Sequence, residues 1–191
     1  MINRLILASK SPQRKRILTD MGISFLAVPS HIDETKASSG LKRFHTIAKR
    51  IALRKAEEIA KQYPDEWILG CDTFVILSDG SLSLKPRNRN DARKTINKYR
   101  NAHCDVYSGL ALINKSLNKK FVHYDRTRLY FRDFSDKERE KYLDSGEWKG
   151  RSGSMTIEGR GGKWVKRIEG DYWNVVGLPV DLLKRFLNDI K

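Results

Sequence analysis

The chain has 191 residues, 39% of them hydrophobic, and its 38 lysines and arginines against 23 acidic residues give a formal net charge of +15. A chain of this length can bury a core as one domain, residues 1–191, and is long enough to form two lobes. The charge favours polyanionic partners such as nucleotides, nucleic acid or an anionic membrane surface, but no apolar run approaches the ~20 residues of a membrane span.

The first predicted elements are a strand, a tight turn, a helix and a second strand. Apolar residues predict the strands over residues 2–8 and 23–28. Ser11 is placed to cap a helix over residues 11–21, with Pro12 in its first turn. The apolar part of the N-terminal segment is too short for a signal peptide, so we expect a soluble, intracellular protein.

The turn before the first helix is a candidate anion site. The first N–H groups of a helix have no partner inside it and carry the positive end of its dipole, and Ser9, Ser11 and Arg14 lie there. In open α/β sheets, ligands gather beyond the carboxyl ends of strands, as at this turn. In the alternative interpretation, Ser11 only caps the helix and residues 14–16 form a solvated basic face.

A long helix and a hairpin follow. Apolar residues recur at helical spacing over residues 41–62. Two apolar runs then flank Cys71 and Asp72, and the pair Asp79-Gly80 is a hairpin turn signal. Cys71 and Cys104 have neither the spacing of a disulfide framework nor that of a zinc site, so we expect two buried, reduced thiols.

Asp72 is the second candidate for chemistry. A carboxylate between apolar runs is costly to desolvate unless it is paired or bound to a metal; the alternative is an aspartate at a strand end or bulge that bonds the backbone. Asp33 and Glu34 form another acid pair after the second strand. Lys85 opens a basic stretch that either faces phosphate or is a solvated helix face.

The remaining predicted elements alternate between helices and strands. They are a helix over residues 90–99, strands over 106–113 and 119–131, a helix over 135–143 with a capping box at Ser135, a strand over 164–168 and a helix over 178–190. This alternation predicts an α/β fold with a mixed, twisted sheet flanked by helices.

Seven stretches match the motifs of one family in order, between residues 5 and 180. They are LASKSPQRKRIL, HIDET, IALRKA, ILGCDTFVIL, LKP, VYSGLAL and IEGRGGKWVKRIEGDYWNVVGLPV. Together they resemble the Maf, or septum-formation, family of nucleoside triphosphate pyrophosphatases. The resemblance implies a cytoplasmic α/β enzyme, Maf/ITPase-like with a central cleft and commonly dimeric. Such an enzyme uses Mg²⁺ or Mn²⁺ to hydrolyse a nucleoside triphosphate to the monophosphate and pyrophosphate, by attack of water at the α-phosphate.

The resemblance also implies roles for particular residues. Asp72 would accept the proton of the attacking water and, with Glu34, bind the metal. Glu34 would hold metal or orient water, and Lys85 would be a third catalytic group. The expected contacts to the triphosphate come from Ser9, Ser11, Arg14, Lys55 and Lys85.

Three positions that differ between subfamilies give mixed indications of the substrate. Thr73 resembles the subfamily that acts on dTTP and UTP, whereas Gln13 replaces its arginine. Glu158 stands where that subfamily has glutamine and resembles the subfamily that acts on 7-methyl-GTP. A carboxylate only accepts hydrogen bonds, while glutamine donates and accepts, as a uracil or thymine edge requires. We interpret Thr73 and the C-terminal signature as favouring a pyrimidine triphosphate.

The alternative function is a nucleic-acid-binding regulator linked to septum formation or cell division, without catalytic activity. The net charge of +15 and the family's association with septum formation motivate it. The chain has no recognition motif such as a helix-turn-helix or stacked RNP aromatics, so nucleic acid is not the expected partner. We expect a nucleoside triphosphate substrate and no membrane association, and the family resemblance implies a homodimer.

Overall fold

A computed structural model describes residues 5–40 and 42–190. Two short 3-10 segments, Ser152–Ser154 and Arg160–Trp164, precede the last strand. In chain order the elements are β1 (Leu5–Leu7), α1 (Pro12–Asp20), β2 (Phe25–Ala27), α2 (Glu34–Ser38), α3 (Phe44–Ile59), β3 (Trp67–Leu77), β4 (Leu82–Ser83), α4 (Arg89–Asn97), β5 (His103–Asn114), β6 (Lys119–Phe131), α5 (Asp136–Ser145), β7 (Val165–Glu169), α6 (Tyr172–Val176) and α7 (Val180–Asn188).

The seven strands of the described chain form one mixed sheet. Its order is β2-β1-β3-β5-β6-β7, and β4 pairs with β3 off this path. The pairs β1–β2 and β1–β3 are parallel, whereas β3–β4 and β6–β7 are antiparallel. The predicted α/β fold, with a mixed sheet flanked by helices, is confirmed.

The described residues form two compact units. The first contains the chain up to Thr73, Ser108–Asp125 and the chain from Gly177 onward. The second contains Phe74–Tyr107 and Arg126–Val176. Strands β3, β5 and β6 each run from one unit into the other along the chain. A single functional domain over residues 1–191 stays a prediction.

A seam of small residues brings α3 onto the sheet in the first unit. Ala48, Ala52 and Ala56, one turn apart, are fully buried. A Cβ added at Gly70 of β3 would lie 2.1 Å from the Ala52 carbonyl oxygen, and one at Gly109 of β5 would lie 2.0 Å from the Ala48 carbonyl oxygen. The helix backbone therefore packs directly against the two strands, which fixes the separation between side chains of α3 and β3.

Aromatic side chains dominate the core of the second unit. Stacked rings of Phe134 and Trp164 lie 4.3 Å apart between centroids, and the Tyr99 hydroxyl donates to the Gly153 carbonyl at 2.8 Å. The other large buried rings of this cluster are Phe131, Tyr142 and Trp148. This unit therefore has its own core, in which the buried phenol of Tyr99 has the hydrogen-bond partner that it needs.

Local signals predicted the starts and turns of several elements correctly. The Ser11 hydroxyl accepts the Arg14 N–H at the start of α1. Ser135 and Glu138 form the expected capping box of α5. The turn at Asp79-Gly80 joins β3 to β4, with the Gly80 N–H bonded to the Leu77 carbonyl.

Other elements differ from the prediction. Strand β3 is continuous through Cys71 and Asp72, where the sequence suggested two separate apolar runs. The helices α2 and α6 were not predicted, because elements of five residues are too short to show an apolar period. The predicted strand start at residues 2–4 and helix start at residue 41 lie outside the described residues.

The cysteine prediction is confirmed, since Cys71 and Cys104 are free and buried. Burial raises the pKa of both thiols. Neither thiol is therefore suited to act as a nucleophile at neutral pH. Within the described ranges, the helices are too short or too polar to cross a bilayer.

Candidate active site

Two carboxylates and an ammonium group form an acidic centre in the first unit. Lys55 Nζ on α3 lies 2.7 Å from Glu34 Oε1 on α2 and 2.7 Å from Asp72 Oδ1 on β3. The side chains of Lys55 and Asp72 are only 12% and 11% exposed, whereas that of Glu34 is 56% exposed. The centre is therefore packed against the protein at Asp72 and open to solvent at Glu34.

Local structure explains how these side chains reach one another. The Asp33 carboxylate accepts the Lys36 N–H at 3.0 Å and so caps α2, which places Glu34 in the first helical turn. Leu7, the last residue of β1, pairs with Leu69 of β3. The position of Asp72 is therefore beyond the carboxyl end of β1, where ligands bind in open α/β sheets.

Arg14 forms a second, cationic centre near the start of α1. The residue is only 9% exposed. Its Nε donates to the Gly177 carbonyl at 2.9 Å, Nη1 to Ser9 Oγ at 3.1 Å and Nη2 to Thr73 Oγ1 at 3.2 Å. All three acceptors are uncharged, and no carboxylate of the described residues pairs with this guanidinium. The buried charge is therefore left without a counter-ion, which is unfavourable until an anion binds.

The serines of the turn order the loop around Arg14. Ser9 Oγ also accepts the Ser11 N–H at 3.2 Å, and Ser11 Oγ, besides capping α1, donates to Gln13 Oε1 at 3.3 Å. Arg16, in contrast, is exposed and pairs with its helix neighbour Asp20 at 3.8 Å. The interpretation as a solvated basic face thus suits Arg16 but not the buried Arg14.

The two centres meet at β3 because Asp72 and Thr73 are consecutive. Side chains of successive strand residues point to opposite faces of a sheet. Asp72 accordingly contacts Lys55 on one side, while Thr73 contacts Arg14 on the other. The first unit thus presents a carboxylate and an unneutralised cation from adjacent positions of one strand.

Two of the predicted site residues belong to the second unit. Lys85 lies in an exposed loop after β4, and Glu158 is exposed between the two 3-10 segments. Their roles in catalysis and in base recognition stay predictions. Sequence reasoning assigned no role to Ser108 or Gly177, which contact Thr73 and Arg14. Both residues lie in stretches that match the family motifs, and Ser108 is also a polar residue within the apolar part of β5.

The acidic centre has a donor set that suits a divalent metal. Mg²⁺ takes oxygen ligands and is commonly held by one or two carboxylates, water and substrate phosphates. Glu34 and Asp72 supply two carboxylates, and the Lys55 ammonium, 2.7 Å from both, shows that a cation fits between them. The described residues contain no group of three or more His, Cys, Asp or Glu side chains arranged to hold a metal. Phosphate oxygens would have to complete such a site.

The fold and the two centres together define an α/β protein with an unneutralised buried cation next to a pair of carboxylates. The family model for Maf-like proteins matches residues 4–190. The chain belongs to the Maf-like protein family, as the resemblance of its motifs predicted.

Relatives match over nearly their whole length. A dTTP/UTP pyrophosphatase from Dictyoglomus thermophilum is 37% identical over 189 residues, which cover 98% of this chain and 96% of that protein. Another from Bdellovibrio bacteriovorus is 35% identical over 187 residues, 96% of this chain and 97% of that one. The solved structure of a nucleoside-triphosphatase / dITP/XTP pyrophosphatase from Mycobacterium abscessus superposes with a TM-score of 0.43 at 13% identity, over 67% of this chain and 74% of that one.

Proposed function

We propose that this protein hydrolyses a nucleoside triphosphate to the monophosphate and pyrophosphate, with water attacking the α-phosphorus. One observation carries the proposal: the buried, unneutralised Arg14 contacts Thr73, the residue next to Asp72, whose carboxylate belongs to the acidic centre. The site thereby offers a cation for phosphate and a base for water at neighbouring positions. The full-length similarity to proteins named dTTP/UTP pyrophosphatase supports the same reaction.

Arg14 stabilises the departing pyrophosphate. Cleavage between the α- and β-phosphoryl groups transfers negative charge to the leaving group, and fixed cations facing that charge lower the barrier. The guanidinium is held in place before substrate binds, so little reorganisation is needed. The hydroxyls of Ser9 and Ser11 lie beside Arg14 and add neutral contacts for phosphate. The family resemblance implies Lys85 as a further cation.

Asp72 accepts the proton of the attacking water. Its carboxylate is held by Lys55 and lies beyond the end of β1. The more exposed Glu34, held by the same ammonium, orients the water. When the triphosphate arrives, its oxygens compete with the two carboxylates for the Lys55 ammonium, which gives this lysine a role in phosphate binding.

Glu34 and Asp72 would hold the Mg²⁺ or Mn²⁺ ion that the family resemblance implies. Such an ion, when bound, polarises phosphoryl oxygens and makes water more acidic. Lys55 Nζ lies 2.7 Å from each of the two carboxylates, so the lysine and such an ion would share the same oxygen partners.

Incubation of the protein with Mg²⁺ or Mn²⁺ and a panel of natural and modified nucleoside triphosphates tests the reaction. We expect release of pyrophosphate and the monophosphate in equal amounts. Release from none of the nucleotides would overturn the proposal. The alternative of a non-catalytic nucleic-acid-binding regulator is not favoured; it requires binding to nucleic acid that weakens steeply with salt, without hydrolysis. A homodimer and a cytoplasmic location stay predictions.

We further propose a pyrimidine triphosphate, dTTP or UTP, as the preferred substrate. The names of the relatives support this choice, as does the family resemblance at Thr73. Gln13 and Glu158 do not match that subfamily, and Glu158 is an exposed residue.

Exchange of Glu158 for glutamine is expected to raise the preference for dTTP or UTP over GTP by about fivefold, because an amide both donates and accepts hydrogen bonds. The measurement is kcat/KM for each nucleotide. The same exchange at Glu169, an exposed glutamate of β7, is the matched control. An unchanged ranking of substrates in Glu158→Gln would remove Glu158 from base recognition.

A further inference from the structure

The Gly177 carbonyl accepts hydrogen bonds from three side chains, each more than 100 positions away from Gly177 in the sequence. The donors are Arg14 Nε at 2.9 Å, Thr73 Oγ1 at 3.3 Å and Cys71 Sγ at 3.5 Å. Gly177 has φ +129°, a conformation that side chains rarely adopt, although a Cβ there would meet nothing within 4 Å. Backbone conformation, not lack of space, therefore requires glycine at this carbonyl.

Ser108 completes the hydrogen bonding of Thr73. Its hydroxyl is fully buried on β5, with Oγ 2.8 Å from Thr73 Oγ1. A threonine hydroxyl has one proton to donate and two lone pairs to accept with. One assignment satisfies its three contacts to oxygen and nitrogen: Thr73 donates to the Gly177 carbonyl and accepts from Ser108 and from Arg14 Nη2. The longer contact to Cys71 Sγ, at 4.0 Å, then has no proton between its atoms.

This network fixes the guanidinium without neutralising it. Three of the five N–H groups of Arg14 are bonded to uncharged oxygens. One N–H on each terminal nitrogen is left for hydrogen bonds to a phosphate group. A carboxylate in place of Thr73 or of the Gly177 carbonyl would hold the guanidinium equally well but would cancel its charge.

We propose that Ser108, Thr73 and Gly177 are positioning residues that aim the Arg14 guanidinium at the phosphate chain. The inference rests on the proposed function. The Thr73 hydroxyl would then help to orient the group that binds phosphate, in addition to any contact with the base. The positioning role also explains why a residue of the chain segment between α6 and α7 takes part in a centre built at the start of α1.

A double-mutant cycle tests the proposal. We expect Ser108→Ala to lower kcat/KM about fivefold and Thr73→Val about tenfold, while Thr73→Ser, which keeps the hydroxyl, stays within about twofold of the wild type. Arg14→Ala should lower it about 100-fold. In the Arg14→Ala background, Ser108→Ala should have no further effect, because a positioning residue acts only through the group that it positions.

Ser154→Ala is the matched control, since Ser154 is a fully buried serine of the second unit whose hydroxyl has no hydrogen-bond partner among the described residues. It should match the wild type in kcat/KM, whatever it does to Tm. An equal loss from Ser108→Ala with and without Arg14 would overturn the positioning role and leave the proposed function intact.

The same double-mutant cycle can be measured on binding instead of turnover, by titrating each variant with inorganic pyrophosphate in a calorimeter. Ser108→Ala should weaken binding about fivefold in the wild-type background and have no effect in Arg14→Ala. If the wild type hydrolysed no triphosphate yet showed this pattern, the proposed function would fail and the positioning role would stand. Additive losses of affinity would overturn the positioning role.

Discussion

Asp72→Asn is expected to reduce the rate of triphosphate hydrolysis by about 1,000-fold at saturating nucleotide, the loss typical of a missing general base. Asparagine has nearly the same shape as aspartate but cannot accept the proton of the attacking water. Lys55 keeps its ion pair with Glu34, so the buried ammonium is not left without a partner. The fold should therefore persist, with a modest decrease in Tm.

The measurement is kcat from pyrophosphate release, together with Tm for each variant. Asp65→Asn is the matched control, because the exposed Asp65 carboxylate accepts a hydrogen bond from the surface hydroxyl of Ser116 and lies outside the acidic centre; it should change kcat by less than about twofold. Retention of a tenth or more of wild-type turnover by Asp72→Asn would exclude Asp72 as the base.

Gly109→Ala is expected to destabilise the protein by about 3 kcal/mol, at the upper end of the usual cost of overpacking. The added Cβ would lie 2.0 Å from the Ala48 carbonyl oxygen. A backbone atom cannot turn aside as a flexible side chain does, so α3 has to move away from the sheet. Because Lys55 lies on α3, the shift should also separate its ammonium from Asp72 and lower turnover.

Urea unfolding measures the loss of stability, and pyrophosphate release measures the loss of turnover. Gly22→Ala is the comparison, because Gly22 has φ +70° but nothing within 4 Å of an added Cβ. It should cost about 1 kcal/mol, the penalty for a side chain in the left-handed region. Equal stability of the two variants would show that α3 does not depend on close contact with β5.

The sequence by itself determined the features that depend on near neighbours. The cap at Ser11 and the capping box at Ser135 are made by residues within one helical turn. The order of the motifs along the chain identified the family and pointed to Arg14 and Asp72 as site residues. Such signals can be read from the sequence because the interactions behind them span only a few residues.

Tertiary structure alone decided what these residues contact. Arg14 and Gly177 are 163 positions apart, yet they share a hydrogen bond. Lys55 meets both Glu34 and Asp72 because glycines of β3 and β5 admit the α3 backbone at close range. No local pattern encodes these distances, since they follow from how closely the helix packs on the sheet and where β3 extends beyond β1. Packing thus leaves the buried Arg14 without a counter-ion and brings the Glu34 and Asp72 carboxylates together around the Lys55 ammonium.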